Sequence, residues 1–388
     1  MDALTFDSQE WLEVTRRLGG AEALTKSARE KRAFFRAREV KSASDLLRLA
    51  FLYGPGGHSL RSASAAAAER GLADLSDVAI LNRLRQSADW LQFLCEEILA
   101  RSAEASGAGT MGRPVRIVDG SRIDGPAGAW RLHLCYDPGS ARITQAAVTA
   151  TKEGERLDRL PVTPGEIRLG DRGFPQPDGV KNTLEAGADV VVRLTWNSLK
   201  LADLHGRPLD WMALFAQAGA QGSLDIPVKM GKARSRFEPI ALRLAIIKKP
   251  IAAATKARAK ARRASRKDQH RIDPRTLAGA ECVILLTSLD REAFPVDRLA
   301  ALYRLRWQIE LAIKRLKSIL HIDRLPAKDP KLARAWLHAH LLLALLLDET
   351  FAAQSALSPC GGPFAVRLDL ARHKAPGRRA NGRNLAAA

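Results

Sequence analysis

YRLRWQIELAIKRLK, residues 303–317, sets a single glutamate inside a basic, helix-forming segment. At about 100° per residue, Tyr303, Arg306, Glu310, Lys314 and Lys317 fall within an arc of roughly 80°. Leu302, Leu305, Ile309, Ile313, Leu316 and Leu320 gather on an adjacent arc and read as the core-facing stripe. One helix is therefore expected here, anchored by its aliphatic side. Cations at this spacing suit phosphate oxygens, and a lone Glu among them suits a metal ion on the same phosphate. Taken alone, such a segment is more often a solvated helix laced with Glu–Arg and Glu–Lys pairs. The rest of the chain has to decide.

The 388 residues are enough for two or three domains, and an apolar content of 46% fits a globular core. A net charge of +20 and a pI near 10.3 surround the protein with a positive field. Such a field favours a polyanion, most often nucleic acid, or an anionic membrane. Cys95, Cys135, Cys282 and Cys360 lie far apart with no C-x-x-C pair. This disfavours a zinc ribbon or a disulfide framework and fits a reducing cytosol. The start, MDALTFDSQEW, has no apolar signal region, and the longest apolar run, 341–347, falls well short of the ~20 residues of a membrane span. A soluble, cytoplasmic protein with no membrane partner is expected.

Residues 1–105 read as an all-helical N-terminal domain. A spaced apolar pattern covers 4–24, a basic stretch covers 28–40, and Ser44 is expected to cap a helix ending before Gly54-Pro55-Gly56-Gly57. Helices starting at Ser59 and at Ser76, separated near Gly71, are compatible either with a helix-turn-helix or with a plain bundle. In the first case residues 76–84 would enter a major groove, with Arg61, Arg83 and Arg85 nearby. Residues 102–113 read as a linker. The period then changes: 115–121, 130–137 and 141–150 are strand-like and separated by Gly, Pro and Asp turns, an antiparallel meander. Strands at 167–170 and 189–196 flank a helix near 180–186, so a mixed α/β layer follows. Residues 197–281 are less regular and include the basic run 254–271, which reads as a solvated, helix-prone or disordered segment, with DNA contact as the alternative. The core resumes with a strand at 282–288 and a helix opened by Pro295 and Val296. An apolar helix follows at 331–351, and then a basic tail over 353–388 expected to be loosely ordered.

Three carboxylates stand at chemically suggestive places. Asp119 closes the strand-like VRIVD, Asp171 closes IRLGD, and Glu310 lies on the helix quoted above. Acidic groups at the ends of adjacent strands converge, and a helix packed on that edge can deliver a third. Such a trio repels itself strongly without cations, whereas two Mg²⁺ would make it a site for in-line displacement at phosphorus. Each aspartate alone reads more readily as part of an Asp-Gly or Asp-Arg-Gly turn; the three together, with the basic helix and the charge balance, reverse that preference.

With those residues in view, the chain resembles the DDE transposases of bacterial insertion sequences, in the IS-four group. That group carries the signature Tyr-(2)-Arg-(3)-Glu-(6)-Lys, matched here by Tyr303, Arg306, Glu310 and Lys317 without a spacing departure. IVDGS around Asp119, LGDRGF around Asp171, VVVRL and VILLTSL match further motifs, and the likeness spans roughly 30–350. The resemblance implies an RNase H-like catalytic core with a mixed sheet, formed by 114–196 and 282–352 and interrupted by a β-rich insertion at 197–281. It implies that Asp119, Asp171 and Glu310 are catalytic and bind two Mg²⁺, with Mn²⁺ able to substitute. It also implies that Tyr303, Arg306 and Lys317 grip phosphates beside a flipped base, and Lys314, Arg172 and Arg193 join the expected DNA-binding set. The partners implied are double-stranded DNA, as element ends and target, and a second copy of the chain. Some relatives clamp the flipped base with a Trp where this chain has Cys282; Trp196 and Trp307 are the candidate substitutes.

No Walker A or G-x-G-x-x-G motif indicates a nucleotide cofactor. His338 and His340 lie two apart on an apolar helix, on different faces, and His133 reads as a sheet residue, so zinc is not expected. Two rivals stand beside the transposase: a catalytically idle DNA-binding relic or repressor, which three intact carboxylates disfavour, and another RNase H-like nuclease such as a junction resolvase, which the signature spacing disfavours.

Overall fold

The computed structural model describes residues 8–104, 112–231, 238–267, 269, 271–322 and 324–357, and within them helix gives way to sheet where the sequence changes period. Five helices come first: α1 (Ser8–Arg17), α2 (Gly20–Glu30), α3 (Ala43–Tyr53), α4 (Leu60–Glu69) and α5 (Asp77–Glu104). Gly19 and Gly20, both at φ 88°, separate the first two, a turn that costs an L side chain strain. Residues 31–42 are not helical, contrary to the expectation for the basic stretch. The cap of α3 is Ser42 rather than Ser44. Ser42 Oγ accepts from the Asp45 amide at 3.0 Å while donating to the Asp45 carboxylate, a reciprocal cap, and Ser44 Oγ accepts the Trp11 indole N–H at 2.7 Å. Ser59 and Ser76 cap α4 and α5 as the sequence suggests. The first turn of α5 is open, with Val78 60% exposed. Arg85, however, is tied to Asp329 at 2.9 Å.

The sheet has nine strands: β1 (Val115–Ile123), β2 (Trp130–Asp137), β3 (Arg142–Ala150), β4 (Ile167–Gly170), β5 (Asp189–Leu194), β6 (Leu201–Ala202), β7 (Ser223–Met230), β8 (Ile240–Lys248) and β9 (Cys282–Thr287). Their order is β3-β2-β1-β4-β5-β9-β8-β7-β6. The antiparallel meander β1-β2-β3 is as expected. Strands β4 and β5 run parallel to β1, linked by α6 (Pro177–Glu185), and β9 returns antiparallel, which makes the sheet mixed. The strands of 197–281 lengthen this same sheet through the β8–β9 pairing. That segment also carries α7 (Trp211–Gln221), α8 (Ile251–Lys267) and α9 (Pro274–Ala280), so it is more helical than expected.

Alternation along the strands divides the core between two faces. Val191 and Leu285 point to one, packed by the helices, and Val190, Val192 and Leu286 to the other, packed by α7 and the 157–180 region. On the helical face lie α5 and α12 (Pro330–Leu357), whose Leu341, Leu342, Leu343, Leu345 and Leu346 are buried. Helix α12 includes 353–357; the rest of the expected tail, with Cys360, lies outside the described residues. Among the described residues no helix is long and apolar enough to cross a membrane.

Residues 303–317 do not form one helix. The chain makes α10 (Val296–Arg304) and α11 (Trp307–Leu320), joined at Leu305 and Arg306. The joint is closed by short-range bonds: Leu305 N–H to Leu302 at 3.1 Å, Arg306 N–H to Tyr303 at 3.1 Å and Gln308 N–H to Leu305 at 3.0 Å. It is a tightened 3₁₀-type turn, a frequent marker of functional breaks. The aliphatic stripe nevertheless holds on both sides, with Leu302, Leu305, Ile309, Leu316 and Leu320 buried.

Candidate active site

The β1–β4 register pairs Val115 with Ile167 and Ile117 with Leu169. Continued by two residues, it sets Asp119 level with Asp171, which lies one position past the end of β4. Asp119 is not at a strand end, as the sequence suggested: β1 runs on to Ile123 against β2. It is the parallel partner that stops, and Asp119 overhangs the gap. Its Oδ1 accepts the Gly120 N–H at 2.8 Å, and Asp171 Oδ1 accepts the Gly173 N–H at 2.7 Å. The Asp-Arg-Gly turn and the acidic site are thus one structure.

Helix α11 supplies the opposite wall. Asp119, Gly120, Ser121, Glu310, Ile313, Lys314 and Lys317 line a cleft of about 420 Å³. Arg306, at the N-cap position of α11, reaches between the acids. Its guanidinium lies 3.6 Å from Asp119 Oδ2 and hydrogen-bonds the Glu310 carboxylate. In this arrangement no group of three His, Cys, Asp or Glu side chains among the described residues is placed to hold a metal ion. The donor chemistry still suits hard divalent cations, since the groups concerned are carboxylate oxygens. Burial, and then the neighbouring Asp171 and Glu155, push the Asp119 carboxyl up to about 6. The cluster holds more negative charge than its setting favours.

Glu155 is a fourth acid that sequence reading did not single out. Arg131 on β2 pairs with it, and its backbone carbonyl accepts from Gln176 Nε2 at 2.8 Å. Its carboxylate lies against Gly120 and Gly173, where a Cβ on either glycine would collide with it. The glycines that follow both aspartates therefore make room for this side chain. The loop behind Glu155 is fixed by Arg168 on β4, fully buried, which pairs with Glu166 at 2.5 Å and donates to the carbonyls of Leu157, Leu160 and Pro161.

Beside the acids stands a cationic group. Tyr303, at the end of α10, is about nine-tenths buried, and its hydroxyl has no hydrogen-bond partner among the described residues. The Arg306 guanidinium is 6.0 Å from its ring centroid. Arg193 on β5 has a buried Nε without a partner. Arg172, next to Asp171, is held below the usual arginine range by burial and by Arg193. Lys249, just after β8, was also missed from sequence, because KKP reads as a solvated strand end. It shares the helical face of the sheet with Arg193, donates to the Ala280 carbonyl at 2.5 Å, and is pushed down to about 8 by burial and then by Arg193 and Arg172. These cations crowd one another and want an anion.

Of the candidate base clamps, Trp196 is engaged: its indole N–H donates to Thr276 at 3.0 Å, and the Arg275 guanidinium covers its ring at 3.9 Å. Trp307 is 47% exposed beside Arg306, while Cys282 is buried. The three histidines singled out from the sequence are satisfied: His133 meets Thr149 at 2.8 Å, and His338 and His340 meet the carbonyls of Arg334 and Trp336 at 2.8 Å.

Most of the chain is similar to known proteins. Residues 110–347, which contain all three signature acids, match the family described as "Transposase DDE domain". The chain is 38% identical over 352 residues to InsL of insertion sequence element IS186A from Escherichia coli (strain K12), covering 89% of this chain and 95% of the relative. It is also 38% identical over 353 residues to "Transposase for insertion sequence element IS421" from Escherichia coli, with the same coverage of 89% and 95%.

Proposed function

The chain belongs to the DDE transposases of bacterial insertion sequences, in the IS-four group, and we propose that it binds terminal inverted repeats, cuts the element ends through hairpin intermediates and joins them to target DNA. The observation that carries this reading is the cleft in which Arg306 bridges Asp119 and Glu310, with Asp171 level with Asp119 on the neighbouring strand. The catalytic domain would be RNase H-like, with 1–105 as its helical DNA-binding partner and 197–281 as the insertion. Pairing two ends calls for a homodimer on DNA, working in the bacterial cytoplasm at the nucleoid.

Asp119, Asp171 and Glu310 are the proposed ligands of two Mg²⁺, or Mn²⁺. Bound there, the ions would activate the attacking water or 3′-hydroxyl and neutralise the leaving oxygen. The chain's own residues position the DNA. Arg306 exchanges its carboxylate partners for a phosphate at the end, joined by Tyr303, Arg172 and Arg193 on one side of the acids and by Lys314 and Lys317 on the other. The unpaired Tyr303 hydroxyl and Arg193 Nε support this, since a phosphate oxygen would satisfy both. A hairpin is too tight for a stacked terminal base. Exposed Trp307, rather than engaged Trp196, is the surface on which a flipped base would stack.

Asp119→Ala and Glu310→Ala test the site. With purified protein, a labelled element end and Mg²⁺, nicks and hairpins on a denaturing gel should disappear while binding of the end persists. Cleavage surviving in either variant would overturn the assignment.

A further inference from the structure

The seventeen residues of α8, IAAATKARAKARRASRK, hold no acidic residue, and Ala254 is the one buried position among them. Its alanines explain why it is helical despite crowded like charges. At about 100° per residue, Ala254, Ala257, Arg258, Ala261 and Ser265, the less exposed positions, share one face of roughly 100°. Lys256, Lys260, Arg263 and Lys267, all exposed, fall within roughly 60° on the other side. Among the described residues, the ion pair made by α8 is that of Arg258 with Glu281 at 2.9 Å, on the packed face. Among the described residues the outward stripe has none, and its members repel at spacings of three and four residues. The helix begins two residues after Lys249, which stands within electrostatic reach of Arg193 and Arg172. The stripe therefore belongs to a helix whose first turn starts beside the cationic group of the cleft.

We propose that the outward stripe of α8 (Lys256, Lys260, Arg263 and Lys267) is a second phosphodiester-backbone contact for the duplex that enters the active site. This rests on reading the chain as a DNA transposase. The four side chains span about 16 Å at 1.5 Å per residue, along a duplex that offers one negative charge per ~1.7 Å of axis. The contact is electrostatic and reads no sequence, as lysine and arginine side chains on a smooth helix face require.

The test measures binding to a labelled duplex of random sequence across a salt series. Wild type should bind with a steep slope of log affinity against log salt. Neutralisation in K256Q/K260Q/R263Q/K267Q should make that slope shallower by about 3 to 4, at about 0.9 per phosphate contact. Glutamine keeps helix propensity at exposed positions, and Mg²⁺-dependent nicking at low salt should persist, showing an intact fold. K256R/K260R/K267R should keep the wild-type slope. An unchanged slope in the glutamine variant, or a slope lost equally in the arginine variant, overturns the proposal. A wild-type protein with no salt-dependent duplex binding would instead overturn the proposed function, on which this inference rests.

Discussion

Along the seam between α5 and α12, His338 and His340 are buried and each donates its Nδ1 proton to a carbonyl four residues back; at the cleft, the Tyr303 hydroxyl and Arg193 Nε are also buried and have no such partner. The seam carries Trp90, Leu94, Ile98 and the leucines of α12, and the Trp90 indole N–H donates to Ser27 at 3.0 Å. The cleft keeps four carboxylates beside a group of cations, spread over β1, β4, β5, a loop and a broken helix. Buried polar groups that pair internally hold the fold together, whereas at the cleft the unpartnered ones stand beside acids and cations that a ligand would complete.

Arg168 gives this contrast its hardest test, because it lies under the cleft yet is fully partnered. Removing it strands Glu166 in the interior and takes the donors from three carbonyls. Arg168→Ala should therefore cost about 3–5 kcal/mol, measured by urea unfolding, and should loosen the loop that seats Glu155. Adding Glu166→Gln should recover part of the loss, since no bare charge then remains. A cost below about 1 kcal/mol, the level of an ordinary surface change, would mean that partnering is not what holds this region.

The same contrast separates what was legible in the sequence from what was not. The strands of the meander show because Gly, Pro and Asp punctuate them, and the stripe from Leu302 to Leu320 shows because its period survives the break. The break itself is hidden, since residues 304–307 contain neither Gly nor Pro and a tightened helical turn needs neither. The choice between Ser42 and Ser44 turned on a hydrogen bond from Trp11, 33 residues away. Asp119, Asp171 and Glu310 were legible through motif spacing. Glu155 and Lys249 were not: one depends on a loop pinned by Arg168, the other on β8 pairing with β9 rather than folding apart. Sequence spacing reports local geometry, and both residues owe their places to contacts made across the sheet.

The seam makes its own prediction. Burial pushes His338 and His340 down to about 4, with Arg334 adding to the effect on His338 and His321 on His340. Their folded pKa values lie below the unfolded value near 6.5, so between those limits the unfolded chain binds protons that the folded chain refuses. Stability from this source is complete above about pH 6.5 and is lost as pH falls towards 4. By pH 5 about 2 kcal/mol per histidine should be gone. Urea midpoints at pH 7.5 and pH 5 would show it, and His338→Gln should remove one share of the difference. If the difference persists undiminished in His338→Gln, the seam is not the acid-labile element.

Arg306 carries the smallest expected effect and the most direct test of the cleft. It is the one cation here with two carboxylate partners, so by the rule of the seam it would be a structural residue. By the rule of the cleft it is a phosphate ligand that rests on Asp119 and Glu310 until DNA arrives. The two rules differ in salt dependence. A structural arginine leaves the number of neutralised phosphates unchanged, whereas a phosphate ligand contributes about 0.9 to the slope of log affinity against log salt. Arg306→Ala should therefore weaken end binding modestly and flatten that slope by about 1. It should also leave Asp119 facing Asp171 and Glu155 with one cation fewer, so the acids should take up Mg²⁺ more readily and the cleavage that remains should need less of it. A slope equal to wild type would place Arg306 with the histidines of the seam, as a group whose partners are all internal.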